Sequence, residues 1–282
     1  MTDRPMDVAP DAGPGRTMAE RLANRVVMVV PDRHNEKLRR LMERVNADLE
    51  LYTLWIAANV TAIERLGMSD HGAVHVKIVM NLAVKMLRLL TERGVEASSI
   101  RNYALDQSDA EVIVALAALL HDVGMSIHRT DHEGFSLFIA ESKLKELLRD
   151  LYDEPTAAVV RSEVLHAIIA HRAGGRPLTL EAGIVRLADA LDMAKGRSRI
   201  PFEAGSVSIH SVSAAAIEAV HLEAGEEKPV RLTIEMSNSA GVFQVDELLR
   251  KKLDGSGLEE YVEVEARIEG ESEERLVDRF RL

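Results

Sequence analysis

Residues 110–124 read AEVIVALAALLHDVG, an apolar run that ends in a histidine and an aspartate. The run is almost uniformly apolar up to His121, which predicts a helix that is buried on most of its sides. Adjacent helical residues point about 100° apart, so His121 and Asp122 can approach one ion only where the helix ends. Gly124 is typical of such an end. This stretch therefore predicts a buried helix that delivers two metal-type ligands side by side.

Helical patterns lie on both sides of this run. Apolar side chains recur every three or four residues at 35–56 and at 74–90, as amphipathic helices require. We predict three further helices downstream, at 132–151, 157–171 and 180–192. The first 20 residues are rich in Pro, Gly and Asp and show no apolar period, so we expect a disordered tail there.

The pattern changes near residue 200, where apolar and polar side chains begin to alternate. Such alternation is typical of half-buried strands, and it occurs in VSIHSV (207–212), AIEAVHL (216–222), VRLTIEM (230–236) and YVEVEARIE (261–269). Helical spacing returns at 245–253, before the last of these segments. We therefore predict a mainly α fold, in which a helical body at residues 21–203 precedes a small α+β region at residues 204–282.

The composition excludes several classes of function. Lys and Arg number 35 against 46 Asp and Glu, which gives a formal net charge of −11 and makes a nucleic-acid partner unexpected. The absence of cysteine excludes disulfides, thiolate nucleophiles and cysteine-bound zinc. No apolar run reaches the roughly 20 residues that span a bilayer, so we expect no membrane segment and a cytoplasmic location. An anionic substrate would need local positive charge, such as a metal ion.

Seven of the ten histidines lie between residues 71 and 171, together with well-placed carboxylates. His75 begins an amphipathic helix and shares a face with His71, so either side chain could face the His121–Asp122 pair. Asp189 lies on a mostly apolar helix, where a carboxylate is costly unless it is paired or binds a metal. Imidazole and carboxylate ligands together suit Mn, Fe, Ni, Co or Zn better than Mg.

The order of His75, His121–Asp122 and Asp189 resembles the HD superfamily of metal-dependent phosphohydrolases, whose pattern is H…HD…D on a helical bundle. Apolar pairs at three-residue intervals follow His75, which favours His75 over His71 as the first ligand. A Leu-Ala-Asp string leads to Asp189, which favours Asp189 over Asp192 as the final ligand. The resemblance covers roughly residues 70–200 and implies one or two divalent metal ions.

Two further histidines resemble those that two-metal members of the superfamily add. They are His132, in His-Glu-Gly-Phe-Ser, and His171, which precedes a Gly-Gly-Arg-Pro segment. Residues 167–189 are similar to the corresponding stretch of symmetrical diadenosine tetraphosphate hydrolases. Cyclic-dinucleotide phosphodiesterases of the superfamily carry Gly-Lys, His-His and Gly-Tyr-Pro motifs, from which this chain departs at 124–125, 170–171 and 175–177. The resemblance to that branch is therefore weaker.

The resemblance implies hydrolysis of a phosphoester or phosphoanhydride in a small phosphorylated compound, which we expect to be a nucleotide, by metal-activated water. His121 and Asp122 are then catalytic, and the metal ligands are His75, His121, Asp122, His132, His171 and Asp189. Lesser candidates for metal or substrate contacts are His71, His128 and His166. Basic side chains that could bind substrate phosphate are Arg129, Arg172, Lys195, Arg197 and Arg199.

Two other readings of the same residues stay open. A regulatory module could keep the helical bundle and bind a nucleotide without hydrolysing it, which the appended α+β region would suit. A metal-free structural bundle is the third reading, although it would bury several imidazoles and carboxylates at a cost. Exposed strand edges in the C-terminal region also make a homodimer plausible.

Overall fold

The computed structural model describes residues 15–33, 35–172, 174–193, 213–268 and 279–281. Helices dominate the part of the chain before residue 194, and a small sheet with a helical segment follows. The helices are α1 Met18–Ala23, α2 Glu36–Ala47, α3 Leu49–Asn59, α4 Ala73–Glu92, α5 Ser98–Tyr103, α6 Gln107–Leu120, α7 His132–Leu147, α8 Glu154–Ala170 and α9 Leu180–Leu191. The π-helical turn Val60–Arg65 continues α3, and the 3₁₀ turn Val123–Ser126 follows α6. The prediction of a mainly α fold is confirmed.

Helix α6 is the centre of the helical body, as its apolar sequence predicts. Every residue from Asp109 to Leu120 is buried, and α2, α4, α8 and α9 all contact this helix. Its N-terminus is closed by a capping box between Asp106 and Asp109, which satisfies backbone N–H groups that would otherwise lack acceptors. A helix surrounded in this way holds its C-terminal end in one place.

Buried polar contacts join α6 to its neighbours. The Arg88 guanidinium on α4 donates two hydrogen bonds to Glu111, from Nε at 2.7 Å and from Nη2 at 2.9 Å. The Asn35 amide, which caps α2, donates to the same carboxylate at 3.0 Å. The Trp55 indole on α3 donates to the Leu119 carbonyl at 3.0 Å. These contacts fix the positions of α2, α3 and α4 relative to the central helix α6.

Several helix boundaries differ from the sequence-based predictions, among them the start of α8, which lies at Glu154 and not at residue 157. The single helix expected at 35–56 is divided at Asp48, whose carboxylate accepts the Leu51 N–H and so begins a new helix, α3. Helix α7 ends at Leu147, four residues before the expected end. The prediction of a disordered tail at residues 1–20 is wrong for its last residues, because Thr17 caps the helix α1 in a capping box. Residues 1–14 lie outside the described residues.

The C-terminal region forms one four-stranded sheet in the order β1-β2-β3-β4. The strands are β1 Ile217–Ala224, β2 Val230–Met236, β3 Val262–Ile268 and β4 Arg279–Arg281. Strands β2 and β3 are parallel, while β1 and β4 pair antiparallel at the two edges. A parallel pair needs a crossover connection, and the helical segment 241–253 supplies it through Gly241–Gln244, Val245–Arg250 and Lys251–Leu253.

The sheet and the helical body share one buried apolar cluster, in which strand residues such as Leu232 and Val264 join residues of α4, α6 and α9. Strands β1 and β2 contact α4 directly. The expected strand at 207–212 and the expected boundary between residues 203 and 204 lie outside the described residues. In the described part of the chain, no helix combines the length and apolarity needed to cross a lipid bilayer.

Candidate metal centre

Six side chains from the helical body converge in one buried cluster. They are His75 in α4, His121 and Asp122 after α6, His132 at the start of α7, His171 after α8, and Asp189 in α9. Three overlapping sets of three residues have ligand atoms within 4.8 Å of one another. All six were predicted as ligands from the sequence, and the structure brings all six together.

The end of α6 sets the direction of the two central side chains. The helix ends at Leu120, and Asp122 adopts a ψ angle of 2°, which lies outside helical geometry. The Gly124 N–H donates to Ser136 Oγ at 2.8 Å, and that hydroxyl donates to the His121 carbonyl at 2.7 Å. A Cβ on Gly124 would lie 2.1 Å from the His132 carbonyl oxygen. Only glycine therefore lets the end of α6 lie against the start of α7.

Asp122 divides its two carboxylate oxygens between two pairs of imidazoles. Oδ2 lies 3.4 Å from His75 Nε2 and 3.4 Å from His121 Nε2. Oδ1 lies 3.1 Å from His132 Nε2 and 3.7 Å from His171 Nε2. The carboxylate thus stands between two sites, each with two imidazole nitrogens.

Asp189 adds a second carboxylate on the His75 and His121 side. Its Oδ1 atom lies 3.5 Å from His75 Nε2 and 3.7 Å from His121 Nε2. With 18% of its side chain exposed, Asp189 is the most accessible of the six residues, whereas His75 and His121 are fully buried. Among the described residues, the cluster is therefore most open to solvent beside Asp189.

The hydrogen bonds of the imidazole rings determine which nitrogen is left for a metal. His121 Nδ1 donates to the Ala118 carbonyl at 2.8 Å, and His171 Nδ1 donates to the Ile168 carbonyl at 2.6 Å. His75 Nδ1 lies 2.6 Å from Asp192 Oδ2 and donates to it. In the neutral rings, each Nε2 is then an unprotonated acceptor that faces the cluster.

Two of these acceptors face each other at close range. His75 Nε2 and His121 Nε2 are 3.1 Å apart, and neither neutral nitrogen can donate to the other. Such a contact is unfavourable unless a positive charge, either a proton or a metal ion, lies beside both lone pairs. With two carboxylates adjacent, the donor set fits a divalent transition-metal ion.

The pKa shifts of His121 and Asp122 also indicate that the cluster stabilises a positive charge. Burial opposes protonation of His121, but the Asp122 and Asp189 carboxylates raise the pKa of His121 to about 9. The pKa of Asp122, which burial alone would raise, lies well below its usual range because of the adjacent imidazoles, above all His121. Burial lowers the pKa of His171 to about 3, with help from the positive charges of His121 and Lys252. The ring of His171 is therefore neutral and able to act as a ligand.

Two residues that the sequence analysis did not assign to the site contact it directly. Asp192, which sequence context set aside in favour of Asp189, orients His75 through its Nδ1 atom. Lys252 reaches the cluster from the helical segment 241–253, and its Nζ atom lies 3.2 Å from Asp189 Oδ2. A carboxylate three residues after a candidate ligand was a usable signal for Asp192, whereas no local pattern indicates Lys252.

The three lesser histidine candidates lie outside the ligand sets. His71 Nδ1 donates to the Ser69 carbonyl at 2.8 Å, and the His71 ring centroid is 5.7 Å from that of His75. His128 is exposed and accepts the Thr130 N–H at 3.0 Å. His166 Nε2 accepts the Leu178 N–H at 3.0 Å, and burial lowers the pKa of its ring. Metal ligation by these three stays untested.

The basic candidates are only partly described. Arg129 is exposed next to the cluster, with Nη1 2.9 Å from His132 Nδ1. The Arg172 side chain is also exposed, directly after His171. Lys195, Arg197 and Arg199 lie outside the described residues. Of the five predicted phosphate-binding side chains, Arg129 therefore contacts a residue of the cluster, and Arg172 is exposed directly after His171 in the sequence.

Comparisons with known proteins point in the same direction as this geometry. A family model described as HD domain matches residues 72–194, a range that contains all six clustered residues. An uncharacterized protein of Methanocaldococcus jannaschii is 45% identical over 214 residues, which are 76% of this chain and 83% of that protein. No solved structure matches the chain.

Proposed function

The chain belongs to the HD-domain superfamily of metal-dependent phosphohydrolases, and from this premise we propose that it hydrolyses a small phosphorylated compound. The bond cleaved is a phosphoester or a phosphoanhydride, and the proposed substrate class is the nucleotides. The observation that carries the proposal is the position of Asp122, whose two oxygens face two separate imidazole pairs. A shared carboxylate of this kind suits two cations that act on one phosphoryl group.

We assign one ion to His75, His121, Asp122 and Asp189, and a second ion to Asp122, His132 and His171. Imidazole-rich sites of this type favour Mn, Fe, Ni, Co or Zn over Mg. Bound divalent ions supply Lewis acidity toward phosphoryl oxygens and lower the pKa of water. The rest of the chemistry belongs to the side chains of this chain.

The protein's own contribution is orientation and charge. Carbonyl oxygens of Ala118 and Ile168 hold the rings of His121 and His171, so that both present Nε2 to the site without further rearrangement. We propose that the guanidinium of Arg129, which is exposed and lies beside His132, contacts a phosphate oxygen of the substrate. Because the chain is acidic overall, such local positive charge is needed to hold an anionic substrate. Arg172 and the basic residues at 195, 197 and 199 are proposed for the same task.

The first experiment measures metal content and phosphate release together. Protein purified without chelator is analysed for bound metals, and turnover is measured with added Mn²⁺ on a panel of nucleoside phosphates, a dinucleoside tetraphosphate, a cyclic nucleotide and a sugar phosphate. The test variant is Asp122→Ala. The matched control is Asp254→Ala, because the Asp254 side chain is 67% exposed and its Oδ2 atom lies 3.9 Å from Arg250 Nε.

We expect one or two ions per chain in the wild type and in the control, with phosphate released from nucleotides in preference to the sugar phosphate. Asp122→Ala should lose both the metal and the turnover while keeping its helical content. An Asp122→Ala protein with normal metal content and normal turnover would contradict the assignment. Bound metal without turnover on any substrate would instead favour a nucleotide-binding regulatory module. The homodimer and the cytoplasmic location stay predictions.

A further inference from the structure

The helical segment 241–253 is packed tightly against α9, the helix that carries Asp189. The Arg186 guanidinium on α9 donates to the Lys252 carbonyl at 3.0 Å and to the Lys251 carbonyl at 3.2 Å. Its Nη1 atom also donates to the carbonyls of Gly175 at 2.5 Å and Arg172 at 3.1 Å. One arginine therefore ties the segment both to α9 and to the turn after His171.

A second close contact lies just beyond the segment. A Cβ on Gly183 of α9 would lie 2.3 Å from the Ser256 carbonyl oxygen, so the two backbones touch there. With Arg186 on one side and Gly183 on the other, the backbone at 251–256 has little freedom to move relative to α9. The direction of the Lys252 side chain is consequently set by the fold.

The Lys252 ammonium group contacts two residues of the metal centre, His171 and Asp189. Its Nζ atom donates to the His171 carbonyl at 2.6 Å and to Asp189 Oδ2 at 3.2 Å. Only 15% of the Lys252 side chain is exposed, so this ion pair is screened less than a surface pair. The pair joins the C-terminal region to a residue of the centre.

This contact divides the roles of the two Asp189 oxygens. Oδ2 is held by Lys252, and Oδ1 is left facing His75 and His121 at 3.5 Å and 3.7 Å. Without the ammonium group, the carboxylate could rotate and present either oxygen or both. Partners of this kind orient metal ligands and adjust their charge.

We propose that Lys252 is a positioning residue of the metal centre, which holds Asp189 so that a single oxygen faces the imidazoles. Through Lys252 alone, the helical segment 241–253 then contributes one side chain to the metal centre in addition to forming the crossover in the sheet. The effect on ligand geometry stands on the contacts alone, while the effect on turnover rests on the proposed phosphohydrolase function.

The test replaces the ammonium group and keeps the apolar stem, as Lys252→Met. The matched control is Lys251→Met, which makes the same change one residue away on a side chain that is 65% exposed and pairs with Glu247. The main readout is the absorption spectrum of protein loaded with Co²⁺, because its bands respond to the number and geometry of the ligands. The thermal midpoint and helical content of each variant show whether it is folded.

We expect Lys252→Met to change the Co²⁺ spectrum and to lower kcat about 10- to 100-fold, with Lys252→Arg in between and Lys251→Met unchanged. If the Met variant does not fold, Lys252→Gln replaces it, since the amide still donates to a carbonyl but carries no charge. A Co²⁺ spectrum identical to that of the wild type in a folded, neutral variant at residue 252 would overturn the proposal. If the wild type releases no phosphate, the proposed function fails, and the Co²⁺ spectrum still decides the role of Lys252.

Discussion

The contact at Gly124 predicts the consequence of adding one methyl group, in the variant Gly124→Ala. The new Cβ would lie 2.1 Å from the His132 carbonyl oxygen and 2.5 Å from the Ser136 nitrogen, and both atoms belong to backbone. Ordinary van der Waals contact begins at 3.4 Å. The start of α7 must therefore move away by about 1.3 Å, the difference between 2.1 Å and 3.4 Å.

That displacement separates His132 from Asp122. In the wild-type structure, His132 Nε2 and Asp122 Oδ1 are 3.1 Å apart. Overpacking of this kind costs about 1–3 kcal/mol of folding free energy, which leaves a stable protein. A misplacement of about 1 Å in a catalytic site can cost on the order of 100-fold in rate. We expect Gly124→Ala to bind fewer metal ions per chain, through loss of the His132 site, and to lose about 100-fold in kcat.

The assay compares Gly124→Ala with Gly94→Ala, a control in which the substitution causes backbone strain and no steric clash. Gly94 has a φ angle of +83°, and among the described residues beyond its chain neighbours none has an atom within 4 Å of an added Cβ. Its substitution therefore strains the backbone without a clash, just after the end of α4 opposite to the end that carries His75. The two variants should lose similar stability in chemical denaturation, and only Gly124→Ala should lose metal and turnover. A folded Gly124→Ala protein with the metal content and kcat of the wild type would refute the reasoning.

Three further outcomes are expected. Glu111→Gln should lower the free energy of unfolding by about 3–5 kcal/mol, because it leaves the buried Arg88 without its charge partner. Glu92→Gln, at a pair that is more than half exposed, should change it by less than about 1 kcal/mol; equal effects in urea titrations would contradict this. Asp192→Asn should weaken Mn²⁺ binding about 10- to 100-fold in calorimetry, since it removes the carboxylate that orients His75. Removal of metal with a chelator should lower the thermal midpoint and added Mn²⁺ should restore it, because an ion that binds only the folded state stabilises it.

Local patterns accounted for most of the helical body and failed at particular residues. The apolar run before His121 predicted α6 because a helix buried on all sides needs no polar face. The division of the expected first helix at Asp48 was missed, because the apolar period continues across a residue that caps one helix as it ends another. The short helix α1 was missed within a Pro- and Gly-rich segment, since Thr17 and Glu20 close it through a reciprocal cap.

The metal centre was likewise predictable from the sequence only in part. The residue types and their order, from His75 to Asp189, could be recognised in the sequence because each lies in a characteristic helical context. The sequence did not indicate the contact between Lys252 and Asp189, which are separated by 63 residues along the chain. Nor did it show that Asp192 supports His75, because that pairing depends on how α9 packs against α4.

The sequence by itself determined which side chains are available as ligands and on which helices they lie, because helical periodicity acts over three or four residues. Only the tertiary structure decided that the two oxygens of Asp122 face different imidazole pairs. It also decided that the C-terminal region contributes a cation to the centre. The physical reason is that the direction of a side chain depends on packing between helices that are distant in sequence. Local periodicity carries no information about that packing.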